Sequence, residues 1–208
     1  MKEFCCDSPD FLAELGQSAH AAGEVEFLGS IAKPGMCAIE IGANHGVTAV
    51  AIAASIGSEG WLYAFEPVPE YFDVLERNLC RNHVANASAH RLAVMDRPGR
   101  IRFFKHGGGS GIAPTDDAEE IWVEATTISD FLANQPRNGI DLLNMDCEGS
   151  ELLALRGAEE LLREARPQVF CEVHHGTLRQ LGHSPEELVA YLQRLGYRVE
   201  PLHVERLH

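Results

Sequence analysis

Two carboxylates flank a glycine-containing turn in the first half of the chain. The segment AIEIGANHGVTAV (residues 38–50) is an apolar run that contains Glu40 and then Gly42 and Gly46, before helix-forming residues resume. The segment WLYAFE (residues 61–66) is a second apolar run, and it ends on Glu66. Strand, glycine turn, helix, strand and terminal acid is the arrangement of a nucleotide-type cofactor site. In such a site the glycines let the backbone approach the ligand and the acid accepts ribose hydroxyls.

The spacing of the glycines distinguishes two cofactors. A dinucleotide site has the pattern G-x-G-x-x-G, because a pyrophosphate lies against the backbone at the helix N-terminus. Here Asn44 stands where the middle glycine is needed, and Glu40 would repel a pyrophosphate. The same acid suits a ligand with a positive amino group, a ribose diol and no phosphate, which describes S-adenosylmethionine. A turn that binds nothing is the alternative, and the combination of turn, helix and terminal acid argues against it.

A second group of ionisable residues accompanies two later apolar runs. Asp146 and Glu148 follow IDLLNM, and Glu172, His174 and His175 lie at the end of PQVFCEVHH. Ligands of open α/β sheets lie beyond the carboxyl ends of the strands, so we expect these side chains on the reactive side of the cofactor. A carboxylate there can stabilise a cationic cofactor, and an imidazole can take a proton near neutral pH. We therefore predict His174, Glu172 and Glu148 as catalytic residues, with His174 as the general base oriented by a carboxylate.

Each of these assignments has an alternative. Glu148 is also well placed to cap the following helix, because acids are favourable at helix N-termini. The two histidines also fit a polar strand end without function. The set of oxygen ligands with an imidazole suits Mg²⁺ or Mn²⁺ better than Zn²⁺, but its spacing matches no recognised metal motif. We therefore predict no metal ligands, and a divalent ion is not favoured.

The elements that must position these residues alternate between strand and helix patterns. Continuous apolar strands that alternate with helices predict an α/β fold with a mostly parallel sheet covered on both faces. The predicted strands are residues 37–42, 61–66, 88–94, 140–146, 167–175 and 197–202. The predicted helices are residues 47–56, 69–82, 150–165 and 184–196. From 100 to 128 two short β-like runs surround the loop HGGGSGIAPTDDAEE, and ISDFLANQ then predicts a short helix.

The first 34 residues are predicted as an N-terminal helical extension, and residues 35–208 as a single domain. Ser8, Pro9 and Asp10 have the order of an N-cap, a first-turn proline and a first-turn acid, which predicts a helix to about residue 21. A second helix is predicted over 24–31. By analogy with enzymes that add substrate-selecting elements outside a shared core, we expect this extension to cap the acceptor side.

Composition limits the partners and the compartment. The 208 residues carry a formal net charge of −14, from 31 acidic and 17 basic residues, and contain no Lys/Arg cluster. A nucleic-acid or anionic membrane surface would require a basic face, so neither partner is expected. The six cysteines form no CxxC pair, and the N-terminus lacks the apolar segment of a signal peptide. We expect a cytoplasmic protein with a small-molecule acceptor, and a homodimer stays open.

With these segments placed, the chain resembles the FkbM-type methyltransferases, a Rossmann-like family that uses S-adenosylmethionine. The resemblance rests on IEIGANHG, FEPVPEYFDVLERNL, ISDFL, IDLLNMDCEGSELLALRGAEELL and PQVFCEVH. The most specific piece is Asp-x-Glu-Gly, which begins at Asp146. The family usually has a lysine where this chain has Asn144, and an antiparallel strand usually finishes the fold, for which only HVERLH follows residue 202.

The resemblance implies which residues hold the cofactor. Residues of the glycine turn would line its methionine part, Glu66 would hold the ribose, and Ala93 and Val94 would flank the adenine. The predicted cofactor-binding residues are Glu40, Gly42, Ala43, Asn44, Gly46, Glu66, Pro67, Ala93, Val94 and Asp146.

The activity implied by the resemblance is methyl transfer to an oxygen of a sugar, polyketide or other secondary metabolite. Three other functions stay open: an N-methyltransferase, an NAD(P)-dependent oxidoreductase, and a catalytically silent cofactor-binding protein.

Overall fold

The computed structural model describes residues 19–202, in which eight strands and eight α-helices occur. The strands are β1 (Cys37–Ile41), β2 (Trp61–Phe65), β3 (Ala87–His90), β4 (Ala93–Val94), β5 (Gly99–Lys105), β6 (Glu119–Thr126), β7 (Leu142–Met145) and β8 (Gln168–Cys171). The helices are α1 (Ala19–Ile31), α2 (Val47–Ile56), α3 (Pro69–Arg81), α4 (Ile128–Leu132), α5 (Glu151–Gly157), α6 (Glu159–Glu164), α7 (His175–Gln180) and α8 (Pro185–Arg194).

Five strands form the central sheet in the order β3-β2-β1-β7-β8, and all of its pairings are parallel. Strands β2 and β3 extend the sheet to one side of β1, and β7 and β8 extend it to the other. The order of the strands therefore reverses between β1 and β7, where Glu40 is in register with Asn144. Ligands of doubly wound sheets bind beyond the carboxyl ends of the strands at such a reversal. This topology therefore places the turn after β1 and the turn after β7 side by side.

Helices cover both faces of this sheet, as predicted. Because side chains alternate along a strand, Ile39 and Ile41 of β1 face a core formed with α4 to α8, while Ala38 faces a core formed with α1, α2 and α3. Strand β1 is buried along its whole length. Burial on both faces explains why the strands read as continuous apolar runs.

A smaller sheet lies beside the central one. Its strand order is β4-β6-β5, with β5 and β6 antiparallel and β4 parallel to β6. It has its own apolar core, which includes Val68, Phe103 and Val123. The two β-like runs predicted between 100 and 128 are thus confirmed as a hairpin, and the loop between them contains a short 3₁₀ turn over Gly107–Gly109.

Several predicted boundaries are wrong. The strand predicted over 88–94 is two strands, β3 in the central sheet and β4 in the smaller one. The helix predicted over 150–165 breaks at Ala158, and the strand predicted over 167–175 ends at Cys171 so that α7 can begin at His175. Residues 197–202 form no strand.

The N-terminal prediction is partly tested. One helix runs through Gly23 from residue 19 to residue 31, so the predicted break after residue 21 is wrong. Its Leu28 is fully buried in the core below α2, and the ring of Phe27 lies 5.0 Å from that of Phe170 on the adjacent strand β8. Core packing therefore crosses the predicted boundary at residue 34. The helix start predicted at Ser8 lies outside the described residues.

Within the described part of the chain, no helix combines the length and the apolar character that crossing a bilayer requires.

Candidate active site

The turn after β1 is fitted closely to the turn after β7. Gly42 has a φ of 83°, and a Cβ there would overlap the carbonyl oxygen of Asp146, so only glycine allows the two chain segments to meet. Asn44 also adopts a left-handed conformation, with a φ of 47°, which asparagine tolerates better than most residues. Asn44 thus serves in a position where a dinucleotide fingerprint would have glycine.

Glu66 is fixed at the end of β2 by two backbone donors. Its Oε2 accepts a hydrogen bond from the N–H of Asn44 at 2.9 Å, and its Oε1 accepts one from the N–H of Val68 at 2.8 Å. The residue is 5 % exposed. Burial raises the pKa of Glu66 to about 7, although both backbone hydrogen bonds lower it. The carboxylate is therefore held in one orientation and also stabilises the glycine turn.

Glu40 lies deeper, beneath the turn. It is 1 % exposed, and its Oε1 accepts a hydrogen bond at 3.1 Å from Nδ2 of Asn144 on the neighbouring strand. Burial raises the pKa of Glu40 to about 8, against the lowering effect of hydrogen bonds from Thr48 and Asn144. A neutral amide thus partners this acid across the junction of β1 and β7.

A pocket opens at the carboxyl ends of β1, β2 and β7. Most predicted cofactor residues line it, together with side chains from α3, the segment around β4 and the loop after β5. The lining residues are Ile41, Gly42, Asn44, Glu66, Pro67, Tyr71, Leu92, Ala93, Val94, Met95, Phe103, Gly108, Ser110, Asp146, Cys147, Glu148 and Ser150.

Three predicted cofactor residues support the pocket without lining it. Glu40 lies beneath it, Ala43 is 2 % exposed and belongs to the core below α2, and Gly46 packs so closely on Leu75 that a Cβ would lie 2.6 Å from Leu75 Cδ1. These positions hold the turn in shape.

Four ionisable side chains meet at one wall of this pocket, and we call them the acceptor-side cluster: Asp146, Glu148, Glu172 and His174. Nε2 of His174 lies 3.4 Å from Glu148 Oε1, 3.6 Å from Asp146 Oδ1 and 3.9 Å from Glu172 Oε1. Asp146 and Glu148 also line the pocket itself. The sequence prediction that these residues converge is confirmed, although His174 precedes helix α7 and does not end a strand. His175, which the sequence analysis placed with these residues, is instead exposed in the first turn of α7 and is not part of this cluster, so that part of the prediction is wrong.

A further carboxylate, Glu151, holds the imidazole from behind, and the sequence prediction did not name it. Its Oε1 accepts hydrogen bonds from Nδ1 of His174 at 2.9 Å, from the N–H of His174 at 3.2 Å and from the N–H of Gly149 at 2.9 Å. The residue is 0 % exposed. An acid in the first turn of a helix is usually exposed, so its sequence position alone gives no reason to select it. The available signal is that Glu151 follows Glu148 by three residues and so belongs to the same segment.

The charges of the cluster set its pKa values. Burial alone would lower the pKa of His174, but the hydrogen bond to Glu151 and the charges of Glu148 and Asp146 outweigh it and raise that pKa to about 9. Burial raises the pKa of Glu148 to about 7, with His174 opposing the shift. The expectation that His174 takes a proton near neutral pH without tuning is therefore wrong, because the neighbouring carboxylates raise its pKa.

The alternative that Glu148 caps a helix does not fit its contacts. Glu148 has a φ of 48°, and its carboxylate faces His174, while the N-cap of α5 is Ser150. The backbone at Glu148 also lies against the glycine-rich loop, since a Cβ on Gly111 would come 2.8 Å from the carbonyl oxygen of Glu148. The loop after β5 is thus part of the site.

A family model described as a methyltransferase FkbM domain matches residues 40–199, which is most of the chain and includes the glycine turn, Glu66 and the acceptor-side cluster. The chain belongs to the FkbM methyltransferase domain family. The resemblance carried by the Asp-x-Glu-Gly motif is therefore confirmed.

Similar proteins agree with the FkbM assignment. A curated protein from Beauveria bassiana (strain ARSEF 2860), named Methyltransferase 1, is 26% identical over 122 residues, or 48% of this chain and 49% of its own length. The chain thus spans about half the length of that relative.

Solved structures show that this chain has the fold of S-adenosylmethionine-dependent methyltransferases. A SAM dependent methyltransferase from Aquifex aeolicus covers 94% of this chain and 92% of its own, with a TM-score of 0.53 and 16% identity. An O-methyltransferase from Bacillus cereus, solved in complex with SAH, covers 91% of this chain and 78% of its own, with a TM-score of 0.51 and 15% identity. The predicted Rossmann-like fold is confirmed.

The pocket of this family member suits S-adenosylmethionine. Glu66 offers a fixed carboxylate for a ribose diol, Leu92 and Val94 offer apolar surface for a base, and Asp146 offers negative charge for a cationic end. The turn has room for backbone approach because Gly42 has no side chain. The residues present therefore fit the cofactor that the fold uses.

Proposed function

We propose that this protein transfers the methyl group of S-adenosylmethionine to an oxygen of a small-molecule acceptor. The observation that carries the proposal is that two residues belong to both sites. Asp146 and Glu148 line the cofactor-type pocket and also contact His174. Groups that can handle a proton therefore lie beside the place where a cofactor would end. A protein that merely bound the cofactor would have no need of that arrangement.

Each part of the pocket has a role in this proposal. S-adenosylmethionine supplies an electrophilic methyl group on a sulfonium centre. Glu66, held by the N–H groups of Asn44 and Val68, accepts the ribose hydroxyls. Leu92, Ala93 and Val94 enclose the adenine, and the acidic wall at Asp146 faces the positive end.

The acceptor-side cluster supports oxygen as the acceptor atom. A hydroxyl must lose its proton as it gains a methyl group, whereas a neutral amine can attack with its lone pair before losing one. The carboxylates of Glu148 and Glu172 each lie within 4 Å of the imidazole of His174, and we propose these three as the catalytic residues. Glu151 positions the imidazole by binding Nδ1, which leaves Nε2 toward the carboxylates.

A small acceptor also fits the charge of the molecule. With a net charge of −14 and no basic cluster, the protein would repel nucleic acids and anionic membranes. Neutral or cationic metabolites that carry hydroxyl groups are the proposed substrate class.

The test is transfer of an isotope-labelled methyl group from S-adenosylmethionine to a panel of hydroxylated and aminated small molecules, with products identified by mass spectrometry. We expect label on oxygen. In His174→Ala we expect turnover to fall about 100-fold or more, in line with the loss of acid–base catalysis, with cofactor affinity little changed.

His183→Ala is the matched control. His183 pairs with Glu187 at 3.1 Å, a histidine–carboxylate contact that includes none of the acceptor-side residues, so turnover should stay at the wild-type level. Labelling of nitrogen alone would contradict the oxygen assignment. Cofactor binding without transfer to any member of the panel would favour the catalytically silent alternative.

A further inference from the structure

Three side chains of the acceptor-side cluster are arranged so that they could bind one cation. One ligand atom from each of Asp146, Glu148 and His174 lies within 4.8 Å of the other two. We propose that these residues bind a divalent cation of the Mg²⁺ or Mn²⁺ class, which in turn holds the acceptor through two neighbouring oxygens. This inference rests on the proposed function and specifies how the same site binds and activates its substrate.

The distances from His174 to the two carboxylates are close to those between ligands of one ion. Nε2 of His174 is 3.4 Å from Glu148 Oε1 and 3.6 Å from Asp146 Oδ1. Ligands about 2.1 Å from a common cation lie about 3.0–3.5 Å from one another, depending on the angle at the ion. The three ligand atoms lie within 4.8 Å of one another, so binding an ion would draw the two carboxylates inward.

Glu151 provides a second and separate indication. Metal-binding imidazoles usually donate their other ring N–H to a carboxylate, which fixes the tautomer and raises the basicity of the ligand nitrogen. Glu151 Oε1 binds Nδ1 of His174 at 2.9 Å, and it is itself anchored by the N–H of Gly149. The carboxylate is fully buried, and its Oε2 has no hydrogen-bond partner among the described residues. A buried acid with one oxygen on the imidazole and the other without a partner is well explained if it supports a bound cation.

Charge at the cluster favours the same conclusion. Four carboxylates, those of Asp146, Glu148, Glu151 and Glu172, surround a single imidazole. Like charges at such distances repel one another, and a divalent cation would neutralise two of them.

The donor set selects the class of ion. Two carboxylates and one imidazole are rich in oxygen, and the site has no thiolate, so Mg²⁺ or Mn²⁺ is preferred over Zn²⁺. Such ions take about six ligands, which leaves about three positions free for water or substrate. Because Asp146 and Glu148 line the pocket, those positions face the acceptor.

An acceptor with two neighbouring oxygens is the chemistry that fits. A vicinal diol or a hydroxy-ketone could replace two waters, and the positive charge would lower the pKa of the bound hydroxyl. With Nε2 of His174 on the cation, the hydroxyl proton would pass to Glu172, the carboxylate of the cluster that is not a ligand, as the oxygen takes the methyl group from the sulfonium. The sequence alone did not favour a metal, because no linear motif joins Asp146 and Glu148 to His174.

The experiment is a titration of the full chain with Mn²⁺ after treatment with a chelator and desalting. The electron paramagnetic resonance signal of free Mn²⁺ reports binding, and no substrate is needed. We expect one site with micromolar to submillimolar affinity, and binding at least tenfold weaker in His174→Ala and in Glu148→Gln. Glu148→Gln keeps the size of the side chain, so it covers the case in which the histidine variant fails to fold.

His183→Ala, at the pair with Glu187, should bind Mn²⁺ as the wild type does. No binding at 1 mM Mn²⁺, on the order of the weakest affinity that a physiological divalent-ion site shows, would overturn the proposal. Equal binding by wild type and both cluster variants would overturn it as well. Calorimetry with S-adenosylmethionine on the chelator-treated protein separates the two proposals. If the protein binds the cofactor but not Mn²⁺, the cation site is rejected and the proposed function stands. If it binds neither, both proposals are rejected.

Discussion

The buried carboxylates of this protein differ in state because their partners differ. Glu151 accepts three hydrogen bonds on one oxygen, and burial, which alone would raise its pKa, is outweighed by the bonds from His174 and from backbone N–H groups, so the pKa is lowered. Glu66 has two backbone donors and a pKa raised to about 7, and Glu40 lies deepest with a pKa raised to about 8. The number of donors that the fold supplies decides which acid stays ionised when buried.

Substitution of Glu66 tests whether this single carboxylate binds the cofactor. Glu66→Ala should weaken S-adenosylmethionine binding by about 2–3 kcal/mol, the range for charged hydrogen bonds, as measured by calorimetry. It should also lower the melting temperature, because the N–H groups of Asn44 and Val68 lose their acceptor. Glu76→Ala removes an exposed acid from α3 and should change neither quantity. Wild-type affinity in a folded Glu66→Ala protein would contradict the ribose role.

Glu40 predicts a pH dependence of stability. Its pKa is about 8 in the folded protein and about 4.5 when unfolded, so between these values the folded state holds the proton more tightly. The contribution to the free energy of unfolding is therefore present at low pH and lost as pH rises from 4.5 to 8. Glu40→Gln cannot ionise and lacks this loss. We expect the variant to gain about 2–4 kcal/mol relative to wild type between pH 5 and pH 8, measured by denaturant unfolding without ligand.

The pKa of Glu66 is also raised, but Glu66 is present in both the wild type and Glu40→Gln. Its contribution to the pH dependence of stability therefore cancels when the two proteins are compared. Parallel pH profiles for wild type and Glu40→Gln would show that Glu40 is ionised throughout this range, with the interior solvating its charge. Asn144→Ala offers a second check, because the loss of its hydrogen bond to Glu40 should raise the pKa of Glu40 further and extend the decline in stability to higher pH.

At the scale of elements, the position of α5 depends on close backbone contact. The helix begins with Glu151 and ends with Gly157, and a Cβ at Gly157 would overlap the carbonyl oxygen of Met95, which lines the pocket. Gly157 therefore lets α5 lie directly on the segment after β4. This contact links the helix that supports His174 to the wall of the cofactor pocket.

Gly157→Ala should destabilise the protein by about 1–3 kcal/mol or more, because a methyl group would force the helix away from Met95. The matched control is Gly176→Ala in α7, where a Cβ would meet no atom within 4 Å. There alanine should be neutral or stabilise by up to about 1 kcal/mol through its higher helix propensity. Denaturant unfolding of both variants measures the difference, and equal free energies of unfolding would refute the packing argument.

At the scale of the whole molecule, cofactor binding should stabilise the fold. A ligand at 100 times its dissociation constant adds about 2.7 kcal/mol. For a chain of 208 residues this corresponds to a rise in melting temperature of about 5–11 °C. We expect this shift with S-adenosylmethionine or its demethylated product and none with NAD⁺ or NADP⁺. A rise in melting temperature with a nicotinamide cofactor alone would contradict the inference, drawn from the glycine turn, that the cofactor is S-adenosylmethionine and not a dinucleotide.

The sequence by itself determined the features that depend on short stretches of chain. The alternation of apolar strands and helices predicted the parallel sheet with two covered faces, and the run from Gly42 to Glu66 predicted the cofactor pocket. The Asp-x-Glu-Gly piece at Asp146 predicted the family. These features are local, because turn geometry, side-chain alternation and motif spacing are set by residues that are close in the chain.

Only the tertiary structure decided which distant residues share a partner. It placed β1 beside β7, which paired Glu40 with Asn144, and it assigned the two halves of the segment 87–94 to different sheets. It also set Glu151 behind His174 and so raised the pKa of the imidazole that the sequence expected near neutrality. Strand order and the packing of helices on the sheet bring together residues far apart in the chain, and their burial and charge then fix each other's chemistry.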